Sequence, residues 1–138
     1  MLFLYINELR TMVDFGLFIL IWMVQLIVYP SFEYIQADAF RSWHKRYTFN
    51  ISLLVIPLMF GQVLFIGAQV FQTPSWAVYT SAVLVLLAWI STFTQAVPLH
   101  NAISANQQQP NTLSLLVTRN WVRTLLWTIV FCLGWIRT

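Results

Sequence analysis

The chain has 138 residues, 59% of them hydrophobic and only 8% charged, with seven Lys/Arg against four Asp/Glu and a net charge of +3. An ordinary soluble domain carries roughly 25% charged residues, and four glycines and the single Cys132 leave no room for a collagen repeat or a disulfide scaffold. The class left standing is an all-α integral membrane protein; at about 20 apolar residues per crossing, the length admits one domain of at most about five spans.

Four apolar runs bounded by polar residues predict membrane-spanning helices over approximately 12–29, 49–71, 76–97 and 121–136. The first contains Trp22 and Met23 and runs into Pro30-Ser31-Phe32-Glu33 with no small-residue cleavage pattern, so it reads as a helix rather than a removable leader. The segment after it is expected as a loop. If the second helix instead begins early, near Asp38, then Trp43, Tyr47, Asn50, Leu54 and Pro57 share one face, with His44 one position round. Pro57 removes a hydrogen bond to the Leu53 carbonyl and predicts a kink, with the freed carbonyl either a packing adaptation or a group facing a pocket. Gln72-Thr73-Pro74-Ser75 is a tight uncharged turn that makes helices 2 and 3 an antiparallel hairpin. Asn106-Gln107-Gln108-Gln109-Pro110-Asn111 reads as a loop tip. The fourth run is the shortest: either its helix begins earlier, near Leu113, or it ends in the interface with Trp135 and Arg137 as anchors. The expected architecture is a single-domain four-helix up-down bundle.

Cytoplasmic loops keep an excess of Lys and Arg. Arg41, Lys45, Arg46, Arg119 and Arg123 fall on one side and only Arg10 and Arg137 on the other, which predicts both termini outside and loops 30–48 and 98–120 in the cytoplasm. Polar residues gather on that cytoplasmic half. Gln25, Tyr29 and Glu33 close helix 1; His44, Tyr47 and Asn50 open helix 2; Gln95, His100 and Asn101 close helix 3; Asn120, Trp121, Arg123 and Thr124 open helix 4. Asp14, Gln62 and Gln69 are the exceptions on the outer half. Because a buried polar group in a bilayer must find a partner, the asymmetry points to a polar pocket open to the cytoplasm. Arg123 either snorkels to the interface or pairs with a carboxylate such as Glu33. Trp22, Trp89 and Trp127 lie mid-helix and read first as packing residues, although Trp127 shares a face with Asn120 and Arg123.

His44 and His100 fall at one depth, which permits three chemistries. A neutral imidazole serves as a general base; a facing pair ligates haem iron; an imidazole beside Tyr and Trp hydrogen-bonds a quinone carbonyl. The alternative for each is an ordinary interfacial hydrogen bond. No metal is expected, since the Glu-x-x-His pairs of di-iron bundles and any Cys cluster are missing, and Cys132 reads as a small apolar residue.

Two stretches, Thr94-Gln95-Ala96-Val97-Pro98-Leu99-His100-Asn101-Ala102-Ile103 and Asn120-Trp121-Val122-Arg123-Thr124, carry a pattern that resembles small four-helix membrane proteins related to anthrone oxygenases. Tyr29-Pro30-Ser31-Phe32, Trp43-His44 through Tyr47, and Ile56-Pro57-Leu58-Met59 are similar to one bacterial branch of that family. The resemblance implies a four-helix bundle in a bacterial inner membrane and cofactor-free oxygenation of a polycyclic phenol through its carbanion. On that reading His44 or His100 abstracts the proton, Asn101 orients the substrate and Arg123 stabilises the enolate-like anion. His100 departs from the pattern, standing where a neutral residue is expected.

The function expected is binding, and oxygenation or isomerisation, of an apolar ring-containing small molecule. His44, His100 and Arg123 are the catalytic candidates, and Tyr47, Asn50, Gln95, Asn101, Asn120, Trp121 and Trp127 line the pocket. Two alternatives stay open: a structural or accessory subunit of a larger membrane complex, and a haem- or quinone-binding protein using His44 and His100. The expected partners are the lipid bilayer, the small molecule and either copies of itself or other membrane subunits, with no nucleic acid.

Overall fold

The computed structural model describes residues 2–136, and among them helix dominates and no strand occurs. There are four helical rods. The first, α1 (residues 2–34), is an α-helix over Leu2–Met23, a π turn over Val24–Val28, a short α turn over Tyr29–Ser31 and a 3-10 turn over Phe32–Tyr34. It is followed by α2 (Ala37–Gln72). The third, α3 (Trp76–Ser104), is α-helical over Trp76–Ser91, passes through a π turn at Thr92–Ala96 and resumes over Val97–Ser104. The fourth, α4, is Thr112–Leu133.

The boundaries follow local chemistry. The Ser75 hydroxyl caps α3 by accepting the Val78 N–H at 3.3 Å. At the other end Asn106 takes the left-handed conformation (φ 58°), which Asn tolerates better than most residues. Gln107 N–H then donates to Ala102 at 2.8 Å and Asn106 N–H to Ile103 at 3.1 Å, the paired bonds of a Schellman stop. Both π turns immediately precede an X-Pro step, Tyr29-Pro30 and Val97-Pro98. Tyr29 N–H reaches back to Val24 and Val97 N–H to Thr92, five residues in each case. The wider turn makes room for a proline ring that clashes with the carbonyl four residues back in a regular helix. One extra residue in the turn also rotates all that follows by about 100°, and this re-aims Tyr29 and His100.

Helix runs further than hydropathy suggests. The expected loop 30–48 shrinks to Ile35 and Gln36, because hydropathy marks where a helix meets lipid rather than where it stops, and 37–48 contains no Gly or Pro to break it. For the same reason α3 continues to Ser104, and α4 starts at Thr112, beside the earlier of its two expected starts. Pro57 sits inside an unbroken α2; it and Leu53 are both exposed, which puts the freed carbonyl on the outer face. Arg137 lies outside the described residues.

Three rods, Tyr5–Tyr34, Ala37–Gln72 and Trp76–Ser104, are long and apolar enough to cross a membrane. The fourth, α4, is more polar, with Arg119, Asn120, Arg123 and several threonines among its 22 residues. The distribution of side chains is inverted relative to a water-soluble bundle: Phe15, Leu64, Phe60, Leu86 and Leu125 are exposed, whereas Arg10, Asp14, His44, Gln62, Asn120 and Arg123 are buried. Packing joins α1 to α2 and α4, and α3 to α2 and α4. Gly16 and Gly61 let α1 and α2 approach closely: a Cβ at Gly16 meets Leu58 at 3.3 Å and one at Gly61 meets Val13 at 3.5 Å. A dry middle layer of Leu17, Ile21, Met59, Ala88 and Trp127 separates two polar clusters.

Candidate functional site

The first cluster is a line of hydrogen bonds through α1, α2 and α3. The Tyr29 hydroxyl meets His100 Nε2 at 3.0 Å, His100 Nδ1 meets His44 Nε2 at 2.9 Å, and His44 Nδ1 meets Ser104 Oγ at 3.3 Å. The two imidazoles are near-parallel, with centroids 5.1 Å apart and an interplanar angle of 24°. His44 is completely buried. Phe32 lies edge-on to Phe40, Trp43, His44 and Tyr47, with centroids 5.5 to 5.8 Å away, and closes this end of the bundle against His44.

At the inner end of the line stands α4. Arg123 donates to the Tyr29 hydroxyl at 3.2 Å and to Asn120 Oδ1. Asn120 Nδ2 donates to Gln25 Oε1 at 2.8 Å, and Gln25 Nε2 to the Val117 carbonyl at 3.3 Å. Arg123 is therefore neither a snorkelling anchor nor the partner of Glu33, which is exposed. Its charge is held by neutral oxygens on α1 and α4.

The expected site residues separate into four groups. His44, His100, Asn120 and Arg123 converge. Tyr47 and Asn50 face an open groove of about 460 Å³ along one side of α2, lined also by Trp43, Arg46, Ile51 and Leu54. Tyr47 bridges groove and cluster, since its ring is 6.4 Å from His100 and stacks within 3° of parallel on Trp43 at 5.5 Å. Gln95 borders a closed seam between α3 and α4 beside Asn120 and Arg123, with no water-sized space inside. The remaining three stand apart. Asn101 is exposed; Trp121 packs edge-on against Trp22 on the outer face of α1 and α4; Trp127 is buried in the dry layer, its indole N–H donating to Gln62 at 3.1 Å. Tyr29, expected among the polar residues of this half but not assigned to the site, is its central member, and Phe32 and Ser104 are participants that residue-type reasoning passed over. The signal that Tyr29 turns into the site lay in the proline that follows it.

The histidine pair as it stands does not accommodate a haem. Axial ligation sets two imidazole nitrogens about 4 Å apart across the metal, from two bonds of roughly 2 Å, whereas here the nitrogens bond each other directly. A quinone carbonyl finds no free imidazole donor either, because all four ring nitrogens have partners. Among the described residues no three His, Cys, Asp or Glu side chains come together.

The second cluster lies beyond the dry layer. Arg10 Nε donates to Asp14 at 3.1 Å, and its Nη atoms donate to Gln69 Oε1 and Ser81 Oγ at 2.7 Å each. Gln62 Nε2 donates to the other Asp14 oxygen at 2.6 Å, and Gln69 Nε2 donates to Asn7. Arg10 was expected among the exposed charges of the outer side; it is instead 3% exposed, because Asp14 one helical turn on supplies its counter-charge.

No protein-family model, no curated protein and no solved structure matches the chain.

Proposed function

We propose that the chain is an integral membrane protein, a four-helix up-down bundle whose Tyr29–His44–His100 end faces the cytoplasm, and that it binds an apolar, ring-containing small molecule and transforms it by proton transfer. The observation that carries this reading is the adjacency of the α2 groove to the hydrogen-bonded line, with Tyr47 as the shared wall. About 460 Å³ falls within the usual range for small-molecule sites. Trp43 and Tyr47 offer flat faces, Ile51 and Leu54 an apolar floor, and Arg46 and Asn50 polar groups for an oxygen substituent. Membrane insertion is supported by three spanning-length rods and by the apolar exterior. With Arg10 withdrawn into its ion pair, the surface cations Arg41, Lys45, Arg46 and Arg119 stand at the end assigned to the cytoplasm of a bacterial inner membrane, with both termini outside.

The chemistry is abstraction of an acidic C–H proton from the ring compound, with the hydrogen-bonded line as base and the Arg123 charge stabilising the anion. Direct reaction of such a carbanion with oxygen is what a relationship to anthrone oxygenases entails; return of the proton to another carbon is isomerisation. Anthrone, a polycyclic carbon acid, is the probe. In nanodiscs it should quench tryptophan fluorescence saturably, with saturation lost in Tyr47→Ala, and its consumption should fall by about 10²-fold or more in His100→Ala. Quenching that rises linearly, as in protein-free discs, refutes the binding reading.

A further inference from the structure

The hydrogen-bonded line has a direction. Arg123 only donates, so the Tyr29 oxygen accepts from it, and the Tyr29 proton is free to point at His100 Nε2. His100 Nε2 is then an acceptor, His100 carries its proton on Nδ1 and gives it to His44 Nε2, and His44 carries its proton on Nδ1 and gives it to Ser104. This arrangement leaves no phenol or imidazole donor idle, and the Ser104 hydroxyl proton faces out of the line. Reversing every bond leaves the Tyr29 proton pointing away from the line, toward the interior beside Arg123.

We infer that Tyr29, His100, His44 and Ser104 form a proton wire from the bundle interior to its end surface, and that the two histidines relay protons and never touch the ligand. This deepens the proton-transfer reading above, but it stands or falls without knowledge of the ligand. A proton delivered to Tyr29 Oη forms a new O–H bond there as the original tyrosine proton moves to His100 Nε2. The Nδ1 proton of His100 moves to His44 Nε2, the Nδ1 proton of His44 moves to Ser104 Oγ, and the serine proton leaves to water. One proton enters, one leaves, and the line is left in the reversed arrangement. It resets when a proton travels back. The wire thus suits a reaction that removes a proton from its substrate and later returns one, such as isomerisation, and not one that exports protons turnover after turnover.

Its outer mouth is partly exposed. The Ser104 carbonyl accepts from Arg41 Nε at 2.9 Å, and α3 ends at Ser104. Among the described residues, His44, completely buried, has no other path to solvent through a polar side chain bonded to its ring.

The chain has only two histidines, so selective ¹⁵N-histidine labelling in nanodiscs gives a spectrum of two rings. Without ligand, both are expected as the Nδ1–H form. A ring protonated at Nε2, or a cationic ring, overturns the direction. In heavy water, Ser104→Ala should slow exchange of both imidazole protons by roughly tenfold or more, and Ser104→Thr, which restores a hydroxyl, should bring it back. Unchanged exchange in Ser104→Ala overturns the wire. So does equal slowing in both variants, which makes Ser104 a packing residue. Tyr29→Phe should leave exchange through Ser104 intact while the His100 ring loses its single-tautomer signature; retention of that signature overturns the role of Tyr29. Anthrone binding that fails while these results hold sinks the ligand reading alone.

Discussion

Removing one charge from the Arg10–Asp14 pair should cost far more than removing both. Asp14→Ala deletes the acceptors for Arg10 Nε and Gln62 Nε2 and strands a guanidinium that is 3% exposed, a loss of about 3–5 kcal/mol for breaking a buried pair. Arg10→Met strands the carboxylate and should cost about the same. In Arg10→Met/Asp14→Leu no charge remains, and Gln62, Gln69 and Ser81 are each one hydrogen bond short. Gln69 keeps its bond to Asn7 and Ser81 its bond to the Ala77 carbonyl. At about 0.6 kcal/mol for a side-chain hydrogen bond inside a membrane, three such losses come to about 2 kcal/mol. The two single costs sum to about 6–10 kcal/mol, so the double-mutant cycle should show a coupling of about 4 kcal/mol or more. Reversible SDS unfolding in mixed micelles, followed by far-ultraviolet dichroism, measures all four corners. Trp127, bonded through Gln62 to Asp14, gives a local fluorescence readout of the same cluster. A double variant as unstable as the sum of the singles refutes the claim that the pair is a closed, mutually compensating unit.

Three further outcomes follow from individual side chains and a fourth from the assigned orientation. Trp89 has a buried indole N–H with no hydrogen-bond partner among the described residues and an edge-on contact with Phe60 at 5.3 Å, so Trp89→Phe should be neutral or stabilising by up to about 1 kcal/mol in the same unfolding assay. Arg123→Met leaves Asn120 Oδ1 and the Tyr29 oxygen without their shared donor and should destabilise by about 2–4 kcal/mol, as read by thermal aggregation in detergent. Asn101→Ala and Trp121→Phe alter residues outside both groove and cluster, so their anthrone titrations should overlay that of the wild type. A fluorescent protein fused to the C-terminus should stay dark and an alkaline phosphatase fusion should be active; the opposite pattern reverses the assigned orientation.

The elements that sequence made legible were those governed by a single physical rule. Apolar runs marked the helices, and the depth of His44 and His100 followed from counting along them. What sequence hid depended on two rules acting together. Arg10 counted as a loop charge under the positive-inside rule, yet its i,i+4 spacing to Asp14 makes a buried pair as soon as Gln62, Gln69 and Ser81 converge from α2 and α3. Residues 37–48 read as loop because hydropathy marks apolar runs and says nothing about where a helix stops. Tyr29 was visible as an interfacial aromatic, but its contact with His100 depends on the π turn ahead of Pro30, a rotation that periodicity at 3.6 residues per turn does not supply. Asn101 and Trp121 were drawn to the site by the company they keep in sequence, and helical geometry turns both outward.

The two polar clusters answer the same constraint with different chemistry. In the lipid setting proposed for this bundle the apolar exterior gives no reason for helices to meet, so bonds between buried polar groups must help specify how they pack. The Arg10 cluster does this with groups whose protons are fixed: a guanidinium, a carboxylate and amides, with every Arg10 nitrogen and both Asp14 oxygens engaged. The opposite end has a guanidinium and amides too, in Arg123, Asn120 and Gln25, but adds to them a phenol, two imidazoles and a hydroxyl, each able to give a proton and take one. Packing alone does not require that choice, since the amide–guanidinium set already present in the chain meets it. Both π turns lie on the approach to this end, and the dry layer of Leu17, Ile21, Met59, Ala88 and Trp127 isolates it from the Arg10 cluster. A lock at one end and exchangeable protons at the other divide the bundle into a part that holds the helices in register and a part free to do chemistry.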